Sequence, residues 1–138
     1  MLRKFLRSKI HRATITQADL DYEGSLTLPP NLLRAADILP HEAVNVWNIT
    51  RGTRLETYAI EGVEGSNDIC ANGAAAHLIR PGDLVIIAAF TFIADAEEKP
   101  AIKPKVVFVD AANEMVNVGT EIPGPRRRGI ENAADSCC

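Results

Sequence analysis

Short apolar runs alternate with polar residues along this chain and are cut by turn formers every few positions, which restricts it to a fold of many short strands. The clearest unit is a hairpin. From Ala43 to Ile49, Val44, Val46 and Asn48 fall on one face, and Ala43, Asn45, Trp47 and Ile49 on the other. Thr50-Arg51-Gly52-Thr53 supplies the turn, and Leu55 to Ile60 returns with Leu55, Thr57 and Ala59 opposite Glu56, Tyr58 and Ile60.

The rest of the chain reads in the same way. Leu2 to Thr16 alternates poorly at first and reads as a strand from Lys9 onward, with Ile10 and Ile15 among polar positions. Asp21-Tyr22-Glu23-Gly24-Ser25 is polar and glycine-bearing, so it predicts a turn or loop. Leu26, Thr27 and Leu28 are extended until Pro29 and Pro30, which cannot donate to a ladder but suit the start of a helix over Asn31 to Ala36. Gly62 and Gly65 end the hairpin's second strand. Ile69 to Ala71 is short and apolar, Asn72-Gly73 turns, and Ala74 to Leu78 can form one helical turn. Pro81-Gly82-Asp83 precedes a buried strand at Leu84 to Phe92; a charged excursion follows at Asp95 to Lys99, and Lys105 to Val109 reads as the final core strand. Periodicity is lost beyond Ile122, which predicts a mobile tail over 123–138. These elements predict one mainly β domain over 1–122, a barrel with short helices. Periodicity does not say which barrel.

Composition excludes several functions. In 138 residues, 46% are apolar and 24% charged, enough to bury a core without disulfides or metal. A formal net charge of -3 gives no global basic field for nucleic acid or an anionic membrane. Arg126 to Arg128 form a charge run that reads as solvated, with an acidic partner as the other reading. No apolar run approaches the ~20 residues of a membrane span. The basic start has no apolar segment of the secretory type, so cytoplasm is the default compartment. Cys70, Cys137 and Cys138 form neither a disulfide framework nor a metal-ligand spacing, and the position expected of a prenylated Cys holds Asp135. Lys9 and His11, two apart, share a face on a strand; no third ligand is suitably spaced, so no metal site is expected.

Four segments carry a resemblance: KIHRATITQADLDYEGS at 9–25, WNITRGTRLETYAI at 47–60, NGAAAH at 72–77 and GDLVIIAAF at 82–90. In this order and spacing they resemble the proenzymes of the pyruvoyl-dependent aspartate 1-decarboxylases. The resemblance covers nearly everything up to Ile122 and implies a double-psi β-barrel. It also implies autocatalytic cleavage between Gly24 and Ser25, giving residues 1–24 and 25–138. The residue types suit that chemistry. The Ser25 hydroxyl can attack the Gly24 carbonyl carbon and turn the amide into an ester. β-Elimination breaks the Cβ–O bond and leaves dehydroalanine, whose hydrolysis yields a pyruvoyl group. Gly24, without a side chain, lets the hydroxyl approach and tolerates unusual backbone angles, where ~1–3 kcal/mol of strain can be stored. An ordinary turn is the other reading of this pair.

The remaining roles are also implied by the resemblance. The pyruvoyl ketone takes the amino group of L-aspartate as a Schiff base and accepts the electron pair released with CO2, giving β-alanine for pantothenate and coenzyme A synthesis. Arg54 holds a substrate carboxylate, as its planar, permanently charged fork allows; otherwise it is a solvated strand Arg. Lys9 lies near the substrate carboxylates and His11 near the catalytic centre, unless both belong to an exposed polar face. Thr57 polarises the Gly24 carbonyl and binds substrate. Tyr58 returns a proton to the carbon that lost CO2, as a phenol protonated at neutral pH can; the alternative is a packed ring with a wet hydroxyl. Thr57 and Tyr58 are adjacent, so serving one site together requires either the Thr57 backbone or a distorted strand.

The backbone of Gly73, Ala74 and Ala75 holds substrate, where small side chains and a helix start leave N–H groups free, and Asn72 lines the site. Tyr22 shapes the cleavage loop, and Trp47 matches the family or simply packs. The family implies a homotetramer with sites between subunits, so that Arg54 or Lys9 serves another chain's pyruvoyl group, and in part of the family a maturation factor. Two alternatives stand beside this: a non-catalytic β-barrel that binds a partner with Gly24-Ser25 intact, or a pyruvoyl decarboxylase of another acidic amino acid.

Overall fold

The computed structural model describes residues 1–94 and 102–125. Its elements are β1 (Leu2–Thr14), β2 (Gln17–Asp19), β3 (Ser25–Leu28), α1 (Pro30–Ala36), β4 (Ala43–Asn48), β5 (Arg54–Glu61), β6 (Cys70–Asn72), a 3-10 helix (Gly73–His77), β7 (Leu84–Ala94), β8 (Lys105–Val109) and β9 (Met115–Gly119). The nine strands run in the order β2-β6-β3-β5-β4-β7-β1-β8-β9. Ala71 on β6 and Val107 on β8 lie toward opposite ends of that order, yet both belong to one buried cluster with Leu26, Val46 and Ile87. The sheet therefore curls around a common core, and the fold is mainly β and barrel-like. Each fully buried Leu or Ile there contributes ~1.5–3 kcal/mol.

The hairpin forms as its alternation dictates. β4 and β5 pair antiparallel from Ala43↔Tyr58 to Trp47↔Arg54, and Val44, Val46 and Asn48 of β4 with Ala59 of β5 are the buried residues of the hairpin. Pro30 opens α1, and the helix closes on Asp37 in the left-handed region (φ 55°), whose N–H bonds back to Arg34 and Leu33.

Three expectations need correction. β1 begins at Leu2 rather than Lys9, because β7 pairs along its length and two register shifts, at Leu6/Ser8 and Ile10/Ala13, interrupt the alternation that betrays a strand. Lys105–Val109 is not the last strand. β9 follows it, with Met115, Val116 and Val118 all exposed, so burial leaves no pattern to read. Ser25 is not a loop residue; it opens β3 opposite Asn72. The charged excursion at Asp95–Lys99, the run Arg126–Arg128 and both tail cysteines lie outside the described residues.

A polar knot fixes the hairpin turn. The Asp83 carboxylate, 2% exposed, accepts from Asn48 Nδ2 at 2.8 Å, Arg51 Nε at 2.8 Å and the Arg80 N–H at 2.9 Å. Burial pushes its pKa up, but these donors and the Arg51 charge outweigh that and hold it below the ordinary aspartate value. A lowered folded pKa contributes stability above the unfolded value near ~3.9, lost as pH falls through the folded value. Asp83→Asn is therefore expected to cost ~2–3 kcal/mol at pH 7, and the difference from wild type should shrink once the pH falls well below the ordinary aspartate range. Denaturant unfolding at the two pH values measures this, and an equal deficit at both contradicts it.

Candidate active site at the start of β3

β3 lies between β5 and β6. Leu26 faces Ala59 across the parallel pair with β5, and Ser25 faces Asn72 across the antiparallel pair with β6. Ser25 is thereby held on one flank by Asn72 and brought beside Tyr58, the residue before Ala59, on the other. It is 1% exposed, its Oγ has no hydrogen-bond partner among the described residues, and its φ of 133° is unusual for a residue with a side chain. The strain expected at Gly24 thus falls on Ser25, on the scale of ~1–3 kcal/mol. A buried hydroxyl left unpaired adds a cost of ~1–3 kcal/mol.

The Tyr58 hydroxyl donates to the Gly24 carbonyl oxygen at 3.0 Å. The donor on this carbonyl is thus Tyr58, where the resemblance implied Thr57. Tyr58 remains 39% exposed, and the His41 ring lies 6.4 Å from its own, centroid to centroid. Asn72 is buried and donates through Nδ2 to Thr27 Oγ1 at 3.1 Å, which fixes its amide beside Ser25.

Gly73 explains how closely the loop can approach. Its φ is +63°, and a Cβ there would come 2.8 Å from Gly24 Cα, 3.0 Å from Gly24 N and 3.1 Å from the Tyr22 carbonyl oxygen. Only glycine lets the 3-10 helix pass so near the Gly24 backbone. Tyr22 contributes that carbonyl, while its side chain is exposed.

These residues surround a cavity of about 240 Å³ lined by Gly24, Ser25, Leu55, Glu56, Thr57, Tyr58, Asn72, Ala74, Ala75 and Leu78. Thr57 and Tyr58 both line it although β5 keeps regular register, since one presents its inner and the other its outer face to a cavity at the strand's side. Leu55, Glu56 and Leu78 escaped sequence reading as site residues. Two-residue periodicity did mark Glu56, which shares the face of Tyr58. Leu78 carried no local signal.

Five expected site residues do not line this cavity: Tyr22 and Gly73, whose backbones meet beside Gly24, and Arg54, Lys9 and His11. Arg54 sits over the Trp47 ring, its Cζ 5.4 Å from the centroid, beside a second cavity of about 180 Å³ that includes Trp47, Thr53 and Ile86. Lys9 makes an ion pair with Glu121 at 2.9 Å. His11 is buried edge-on against Phe108, ring centroids 5.9 Å apart. Lys9 and His11 pair in regular register with Val106 and Phe108 of β8, so they share a face as expected, but away from Ser25. Among the described residues no group of acids, histidines and cysteines is arranged to hold a metal ion.

The comparisons with known proteins agree with this geometry. A family model described as aspartate decarboxylase matches residues 1–116. The chain is 62% identical over 126 residues to aspartate 1-decarboxylase of Rhodopirellula baltica, covering 91% of this chain and 80% of that protein. It is 64% identical over 129 residues to aspartate 1-decarboxylase of Myxococcus xanthus, covering 93% and 98%. With aspartate 1-decarboxylase of Legionella pneumophila strain Paris it shares 64% over 126 residues, covering 91% and 94%. A glycine carbonyl held by a phenol, next to a strained and buried serine, is thus found in a chain that belongs to the aspartate decarboxylase family.

Proposed function

We propose that this protein is a carboxy-lyase that converts L-aspartate to β-alanine and CO2, after cutting itself between Gly24 and Ser25 and turning Ser25 into a pyruvoyl group. The observation that carries the reading is the pairing of the Tyr58 hydroxyl with the Gly24 carbonyl, beside a buried Ser25 Oγ that no described residue engages. A hydrogen bond on that oxygen draws electrons from the carbonyl carbon and stabilises the negative charge that develops when Oγ attacks. An unpaired hydroxyl needs no bond broken before it moves. Backbone strain at Ser25 is released when the peptide link is lost.

The surroundings of residue 25 fit a carbonyl made from the chain itself. Ala74 and Ala75 leave room in front of it, and the Asn72 side chain lies across the strand. A pyruvoyl group there supplies the electron sink for the pair released with CO2. Tyr58, placed within reach of the same point, delivers the proton that replaces the lost carboxylate. Thr57, Gly73, Ala74 and Ala75 bound the substrate. Arg54 and Lys9 recognise its carboxylates across a subunit boundary, His11 lies near that centre, and the working unit is a homotetramer. The domain of 1–122 and a C-terminal tail, a supply of β-alanine to pantothenate synthesis and a cytoplasmic location belong to the same reading. No described helix is long and apolar enough to cross a membrane.

Intact mass and CO2 release test this directly. Purified protein is expected as two fragments, the larger without a free amino terminus, that release CO2 from L-aspartate; a single uncut, inert chain after prolonged warming refutes the assignment. Ser25→Ala should stay uncut and inactive. Tyr58→Phe should still be cut, but about tenfold to a hundredfold more slowly, and once cut should turn over about tenfold to a hundredfold more slowly, so wild-type rates in both assays remove Tyr58 from the chemistry. Gly73→Ala, whose methyl would meet the Gly24 backbone, should slow self-cleavage ~10–100-fold in a gel time course. Cleavage at the wild-type rate would show that the close approach does not matter.

A further inference from the structure

We propose that Glu56 is a specificity-determining residue of the Ser25 cavity, its carboxylate receiving the α-ammonium group of the incoming amino acid. The inference rests on the decarboxylase reading and deepens it. Only two lining residues, Glu56 and Tyr58, are ionisable, and Glu56 is the one carboxylate among them. It is exposed, and among the described residues its carboxylate makes no hydrogen bond or ion pair. β5 keeps unbroken register with β4 from Arg54 to Tyr58, so Arg54, Glu56 and Tyr58 occupy successive positions on one face. Each step along that face is about 6.6–6.8 Å. Tyr58 reaches the Gly24 carbonyl, so Glu56 stands one step from the reacting centre and Arg54 two.

The ligand's charges match this order. An amino acid arrives with its α-nitrogen protonated, and that nitrogen must come to residue 25. The positive end of the ligand therefore enters the cavity nearest Glu56. A free carboxylate at the mouth of a site for a dicarboxylic acid weakens binding unless it meets the one positive group the ligand carries. Pairing with the ammonium turns that repulsion into attraction and orients the molecule nitrogen-first.

The test compares wild type with Glu56→Gln, each assayed per processed chain as counted by intact mass. Two quantities are read: KM for L-aspartate, and inhibition by succinate, which has both carboxylates and no ammonium. The expected result is a KM raised about fivefold, with succinate binding unchanged or tighter and Glu56→Asp recovering part of the loss. A KM that is unchanged or lower overturns the proposal, and so does an equal weakening of aspartate and succinate, which would mark general disruption. Failure of the underlying reading looks different. Processed wild-type protein would then release no CO2 from L-aspartate, and the role of Glu56 would fall with it.

Discussion

β3 is four residues long and is gripped on both edges, by β5 through a parallel register and by β6 through an antiparallel one. Everything at the candidate site follows from that double pairing. A strand paired on one edge only can relax by twisting away. One paired on both must place its first residue where the two ladders dictate, and here that residue is Ser25. The ladders carry the left-handed backbone angle and the unpaired hydroxyl, whose combined cost of ~2–6 kcal/mol is comparable to what the burial of Leu26 and Leu28 just downstream contributes. The structure thus holds a reactive and unfavourable arrangement at the edge of its best-packed region.

The opposite wall of the cavity is fixed from a distance. Asp83 ties the β4–β5 turn together through Asn48 and Arg51, and Thr53 in that turn donates to the Leu78 carbonyl at 2.8 Å. Leu78 closes the 3-10 helix that carries Ala74 and Ala75 past Ser25. A charge buried beneath a hairpin therefore sets where the small residues of the cavity stand. Such a knot is stable only when every partner is present, which makes it a poor place for change.

Arg54, Lys9 and His11 do not line the Ser25 cavity, although Arg54 shares a face of β5 with Tyr58. Arg54 lies against Trp47 beside its own cavity, while β1 carries Lys9 and His11 to the side of β8. One residue lining the cavity at Ser25, Glu56, bears a carboxylate, and none bears a cation. A dicarboxylic ligand needs positive charge that this wall does not contain, which is the physical reason to look for its carboxylate partners on a neighbouring copy.

Alternation alone determined the β4–β5 hairpin, because one side of it is buried and a two-residue period leaves no other register. It also placed Glu56 with Tyr58, and the pair of prolines placed the start of α1. Sequence could not show β9, whose residues are exposed on both faces, nor the first half of β1, where the register shift at Leu6/Ser8 breaks the period. At the site, residue types and spacing singled out Gly24, Ser25, Tyr58 and Asn72 through a family resemblance. Which of them touch was decided only by tertiary structure. The bond from Tyr58 to Gly24 spans 34 positions, and the near contact of Gly73 with Gly24 depends on two strands meeting on either side of a third. Local periodicity reports which face a residue occupies; the distance between faces is set by how the sheet closes on its core.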